Sequence, residues 1–299
     1  MQMNRASRCL LVTRIGPKSL HRGWIGSTAT REFDVVLSAY DPSVVPVDAD
    51  GVFFEFRPGY KVAGYSGFMN DQGDMWRQYE YVCFYDEDLE ATTEGLNHMF
   101  RLCLEGNFKI AQAALTPDSH YTYAALVQQK AFRLRHVNFI EMMCPIFRSD
   151  ILAKVEHLYH SKRETGIDIV WSQQVGTEER DFAVLDAAPL RHSEPVAAKL
   201  EENGFDRTTG YDADIDALLR HYKVPWLGCT PYSAIRPSGR CVRSKLLLFL
   251  AALPVVWSVP LQRPWSQRLK FVVVHLKHIA ETAIGRVPGR PAAADDGAG

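Results

Sequence analysis

Short, continuous apolar runs closed by turn residues alternate along this chain with stretches whose apolar positions recur every three or four residues. The first pattern marks buried strands and the second amphipathic helices. Cys9-Leu10-Leu11-Val12-Thr13 reads as an opening strand that gives way to the loop Arg14-Ile15-Gly16-Pro17-Lys18-Ser19. Residues 33–38 form a second strand, ended by Asp41-Pro42, and 51–56 a third, ended by Pro58-Gly59. Tyr81-Val82-Cys83-Phe84-Tyr85 is the clearest, apolar throughout as befits a parallel strand covered on both faces. Further strands are predicted at 109–113, 136–142 and 182–186. Leu96, Met99, Phe100 and Cys103 share one face of a helix over 92–104, with Gly106 as its stop. Ser149-Asp150 opens another helix, and 196–203, closed by Gly204, and 214–222 are also helical in pattern. The alternation predicts a Rossmann-like α/β fold, with a mixed, mostly parallel sheet flanked by helices.

After Trp226 the pattern changes. Residues 246–261 carry no charge and are interrupted by Pro254 and Pro260. Arg240, Arg243 and Lys245 precede this run, and Arg263, Arg268 and Lys270 follow it. A spanning helix needs about twenty apolar residues, so the run is short for that role. Trp257 and Trp265 suit a lipid interface, and the basic flanks suit anionic headgroups. A monotopic membrane contact, a buried core helix or partner groove, and a true span all remain open readings. The chain thus divides into a catalytic α/β domain over 1–225, a basic, apolar, membrane-associating segment over 226–287, and a disordered tail over 288–299.

Charge sharpens this division. The formal net charge of −1 hides a split between residues 1–216, with 22 basic and 32 acidic residues, and 217–294, with twelve Lys or Arg against Glu281 alone. The basic excess surrounds an apolar, Trp-containing run while the other part is acidic, which points to an anionic membrane surface and away from nucleic acid. Six cysteines form no C-x-x-C pair, and Cys9 and Cys83 lie inside strand-like runs, as buried free thiols of a reducing compartment do. The basic N-terminus is followed by only four apolar residues, too few for a signal-peptide core. The expected address is cytoplasmic, peripheral or monotopic at the inner face of the membrane.

Candidate chemistry centres on Asp86-Glu87-Asp88, directly after the clearest strand. In an extended chain, residues two apart point the same way, so Asp86 and Asp88 can aim two carboxylates beyond the carboxyl end of a strand. Two hard oxygen donors suit Mg²⁺ or Mn²⁺, though the same acids could simply cap a following helix. His192, in the loop-like Pro189-to-Pro195 segment, could complete a metal site or be solvated. Asp168 is an acid inside the apolar stretch Gly166-Ile167-Asp168-Ile169-Val170-Trp171; burial would raise its pKa and suit it to general-base work, whereas a helix starting at Ile169 would make it a cap. Arg14 and Lys18, in the first strand–helix loop, are candidates for a diphosphate, as is Lys61. Glu141 could bind an acceptor hydroxyl and Trp171 could stack on a sugar, the alternatives being a buried, bonded acid and a core tryptophan.

Taken in order, these segments resemble a known family. Tyr81 through Asp86-Glu87-Asp88-Leu89 resembles the D-E-D-L strand end of domain-of-unknown-function family 707 of plants and bacteria. Residues 109–115 are similar to its ISQPAL segment, with Ala113 where that family has proline, and 139–147, including Glu141, to its VEIMAPVF segment. Gly166-Ile167-Asp168 with Trp171 looks like its GLDxxW element, and Leu185-Asp186 followed by His192 like its D…H element. Arg14-Ile15-Gly16-Pro17-Lys18-Ser19-Leu20-His21 and Gly59-Tyr60-Lys61 also fit. The family in turn resembles the GT-A glycosyltransferases in layout. This resemblance implies a GT-A-like fold and a donor site in which Asp86 and Asp88 hold a divalent metal, Mn²⁺ or Mg²⁺, and the nucleotide diphosphate. It also implies His192 as third metal ligand and Asp168 as base. The expected function is a metal-dependent glycosyltransferase moving a sugar from a nucleotide-diphosphate donor to a glycan or lipid-linked acceptor. Two other readings stand beside it: a catalytically silent nucleotide- or glycan-binding scaffold, and a metal phosphohydrolase, which would need more clustered ligands than the scattered histidines provide.

Overall fold

All seven residues of β1 (Cys9–Ile15) are buried, because the strand is paired on both edges and covered on both faces. It runs parallel to β2 (Asp34–Ala39) on one side and β4 (Tyr81–Tyr85) on the other, and β2 continues in parallel to β3 (Val52–Phe56). The remaining strands are β5 (Leu89–Glu90), β6 (Ile110–Leu115), β7 (Leu134–Val137), β8 (Ile146–Arg148), β9 (Phe182–His192), β10 (Pro231–Ile235) and β11 (Cys241–Val242). The sheet order is β11-β10-β7-β9-β6-β8-β4-β1-β2-β3, with β5 paired to β9 off this path. The longest ladders are parallel, and short antiparallel strands such as β8, between β4 and β6, join them. The computed structural model describes residues 7–26, 30–161, 163–195, 210, 212–258, 269, 272–273, 276–277 and 280.

Helices flank the sheet. α1 (His21–Trp24) packs on α4 (Thr93–Gly106), which lies on β4 and β9, while α2 (Lys61–Asp71), α5 (Ser149–Tyr159), α6 (Ile167–Val175) and α7 (Asp212–Tyr222) make a second contiguous layer. A short α3 (Gly73–Trp76) follows α2, and α8 (Lys245–Ser258) packs on β10. The fold is the expected mixed α/β sheet flanked by helices. The cysteines are free, five of them buried and Cys241 exposed.

Several boundaries differ from expectation for local reasons. Gly106 is the last helical residue of α4, and Asn107, at φ 50°, takes the left-handed cap. The strand expected over 136–142 ends at Val137, because Asn138 exchanges hydrogen bonds with Thr230 and Gly228 and the Ile140 carbonyl accepts from the Trp171 indole. β9 runs well past residue 186, so His192 ends a strand and does not lie in a loop. The division at 225 also fails, since β10 and β11 complete the same sheet against β7. The helix expected over 196–203, the tail over 288–299 and the side chains of Trp257 and Trp265 lie outside the described residues.

Candidate active site

In chain order the sheet grows from β1 outward through β2 and β3, and then returns to the other side of β1 with β4. Open α/β sheets bind ligands beyond the carboxyl ends of strands at such a reversal. The loop after β1 and the acids after β4 meet there. Glu87, between the two aspartates, points back into that loop: its carboxylate accepts from Gly16 N at 2.6 Å and from the Tyr40 hydroxyl at 2.6 Å. Its carbonyl accepts from Leu20 N. Gly16 leaves room for the Tyr40 ring, since a Cβ there would sit 2.1 Å from the Tyr40 oxygen and that side chain would have to shift. Glu87→Ala leaves a buried amide and a hydroxyl unpaired and is expected to cost about 1–3 kcal/mol of stability. Urea unfolding checks this, and an unchanged midpoint would show that Glu87 does not hold the loop.

Lys61 opens α2 beside this edge. Its Nζ lies 2.6 Å from Asp86 Oδ1 and 2.8 Å from Oδ2, and donates to the Met142 carbonyl at 2.9 Å. Burial pushes the Asp86 carboxyl up from its ordinary pKa, and Lys61 pulls against that. The start of α2 is fixed by Glu164, whose carboxylate accepts from Val62 N and Ala63 N at 2.7 and 3.1 Å. Arg14 fixes the approach to it. Its guanidinium is buried and donates to Ser38 Oγ and to the carbonyls of Arg57 and Gly59. Gly64 lets it pass, because a Cβ there would meet Arg14 at 2.3 Å. Arg14 is therefore a brace for the Lys61 segment and not a free diphosphate ligand; Lys18 is exposed in its loop.

The two-residue β5 brings the other half of the site together. Leu89 pairs with His192, and Ser193 N donates to the Asp88 carbonyl, so His192 Nε2 faces Asp88 Oδ2 at 3.4 Å. His192 Nδ1 is bonded to the His120 carbonyl at 2.9 Å, which places the proton on Nδ1 and turns Nε2 toward the carboxylate. Burial alone would lower the His192 pKa, but Asp88 and, more weakly, Asp86 raise it above its ordinary value. An oxygen and a nitrogen donor facing each other fit a divalent cation that takes its remaining ligands from phosphate and water. The expected three-ligand set is not assembled, since the Asp86 carboxylate is held by Lys61. Among the described residues, no three His, Cys, Asp or Glu side chains group closely enough to hold a metal by themselves.

Asp168 lies within the first turn of α6, whose N-cap is Gly166, so it is not the cap expected for a helix beginning at Ile169. Its oxygens accept from Ile169 N at 3.0 Å and Met142 N at 3.3 Å. Burial pushes its carboxyl up to about 7, and the nearby Glu141 adds to the shift. Burial raises Glu141 as well, against a hydrogen bond with Thr122 that lowers it. The Met142 backbone thus connects Asp168 to the Lys61–Asp86 pair, donating to Asp168 and accepting from the lysine that holds Asp86. Trp171, expected as a sugar-stacking candidate, is instead the core tryptophan: it is fully buried, stacks on Tyr159 and offers no face to a sugar. The loop-holding role of Glu87, the capping by Glu164 and the Met142 bridge are additions of the structure. Only Glu87 had a signal in the sequence, the alternation that turns it away from Asp86 and Asp88.

No family model matches the chain, and no curated protein matches it. Among solved structures it is similar to S. aureus TarS 1–349, at 10% identity and a TM-score of 0.48, over 92% of this chain and 73% of that one. The complexes of the same TarS fragment with UDP and with UDP-GlcNAc align at 9% and 11% identity and TM-scores of 0.43 and 0.41, over 92% of this chain and 73% and 74% of those chains. At TM-scores below 0.5 this is a likeness of broad layout that identifies neither activity nor ligand.

Proposed function

We propose that the protein is a nucleotide-sugar-dependent glycosyltransferase, a reading that agrees with the resemblance to domain-of-unknown-function family 707. The observation that carries it is the Met142 bridge, which ties a carboxyl with a pKa of about 7 to the Lys61–Asp86 pair. Asp88 and His192 would hold Mn²⁺ or Mg²⁺, and a cation there would supply charge to offset a diphosphate leaving group. Lys61, braced by the Met142 carbonyl, would add positive charge toward the same group. Asp168 takes the acceptor hydroxyl proton while that oxygen bonds to the anomeric carbon. The bond from this carbon to the diphosphate oxygen breaks, and its electron pair departs with the nucleotide. A base acting on the acceptor, with no enzyme nucleophile, inverts the anomeric centre. Glu141, buried near Asp168, would accept from an acceptor hydroxyl.

Calorimetric titration of wild type and Asp88→Ala with UDP, GDP and CDP, each with and without Mn²⁺, tests this reading. One nucleotide is expected to bind wild type with Mn²⁺ and to lose on the order of tenfold or more in affinity in Asp88→Ala. Binding that ignores both metal and Asp88 would remove the cation from the reading. No binding of any nucleotide would overturn it in favour of a scaffold or a phosphohydrolase.

A further inference from the structure

α8 has two unlike faces. Leu248 joins Phe132, Ala234 and Val242 in a small cluster against β10 and β11, and Phe249 and Ala252 are buried beside it. Leu246, Leu247 and Leu250 instead stand 55%, 54% and 48% exposed. Val272 packs against Ala252, and Leu269, Val273 and Leu276, close to it in sequence, are exposed. Of the ten large hydrophobic side chains exposed among the described residues, six lie on these two stretches, so this is a patch and not ordinary scatter.

Three arginines precede the patch in the chain. Arg236, Arg240 and Arg243 are exposed along the β10–β11 hairpin that leads into α8. No Asp or Glu occurs from residue 217 to 280. Lys245, at the first turn, bonds the Tyr232 carbonyl and lies over the Tyr232 ring, which ties the helix to β10. Length decides how such an element meets lipid. The 14 residues of α8 span about 21 Å, short of the roughly 30 Å of a hydrocarbon core. Among the described residues, no helix is long and apolar enough to cross a membrane.

We propose that this leucine face, with the arginines that precede it, is a docking surface for an anionic bilayer, with α8 lying in the interface and the aliphatic side chains entering the acyl boundary. The surface lies at the β10 end of the sheet, away from β3. Nothing in this proposal depends on the chemistry at Asp86 and Asp88.

Flotation of the full chain with vesicles of phosphatidylcholine alone, or with about one-third phosphatidylglycerol, tests it. Partition onto the anionic vesicles is expected, falling as salt screens the arginines. Leu246→Ser/Leu247→Ser/Leu250→Ser and, separately, Arg240→Ser/Arg243→Ser should each lower partition on the order of tenfold or more. These side chains are exposed, and thermal unfolding like that of wild type would show that each variant folds. Absence of wild-type partition, or equal partition by the leucine variant, would overturn the proposal. Self-association that requires the same leucines, without vesicle binding, would assign the face to a second copy and overturn it too.

Discussion

Asp168→Asn is expected to lower turnover by about 10²–10⁴-fold. Donor-nucleotide affinity should stay within about threefold of wild type, because a base acting on the acceptor contributes little to holding the donor. The readout is release of nucleoside diphosphate from the sugar donor of whichever nucleotide binds. The wild-type rate should rise with pH through about 7, where the carboxyl loses its proton, and this limb should be absent from the variant's residual rate. A second readout separates chemistry from folding. The folded pKa of about 7 lies above the ordinary 3.8, so the stability this group contributes is fully present below about 3.8 and is lost as pH rises through about 7. The variant has no such proton, and its stability should fall less between pH 5 and pH 8, a range bracketing that upper value. The amide can keep the 3.0 Å acceptance from Ile169 N and sacrifice the longer 3.3 Å contact with Met142 N, so a folded variant is expected. A fully active variant would move the base elsewhere, with Glu141 the nearest alternative.

What the sequence made legible here is local. β1, β2 and β4 could be read because continuous burial leaves continuous apolar runs, and the acids after β4 because a strand end is a short-range event. Asp168 was visible as an acid in an apolar stretch. The contacts that make these residues a site are long-range. His192 reaches Asp88 only through the β5–β9 pairing, across more than a hundred residues of chain. Glu164 caps α2 from a similar distance. Helix α2 was missed because Gly64 and Gly67 interrupt its apolar pattern, and Gly64 is there for Arg14 to pass. The roles of Arg14 and Trp171 depend on burial, which residue type alone does not determine: the same arginine could contact a ligand or, as here, hold two carbonyls of its own chain.

Asp186 presents the same difficulty in sharper form. It belongs with His192 in the D…H element of the resemblance, yet six residues separate them along β9 and the two do different work. The Asp186 carboxylate pairs with Arg135 at 2.8 and 2.9 Å, both side chains fully buried, and accepts from Gln129 N at 2.8 Å. Arg135 also donates to the carbonyls of Ala125 and Val127, so the pair fastens the 124–129 segment to β7 and β9. Asp186→Leu strands a guanidinium in an apolar interior and should cost about 3–5 kcal/mol of unfolding free energy. Arg135→Met should cost a similar amount by leaving the carboxylate without its partner. The double variant Arg135→Met/Asp186→Leu removes both charges and should recover much of the loss, because most of the single-variant cost is the unpaired charge and not the net strength of the pair. Urea unfolding of the three variants decides the matter. Additive losses would mean that packing and backbone contacts carry the segment. A strongly non-additive cycle would mean that the ion pair does, and would place Asp186 with the scaffold.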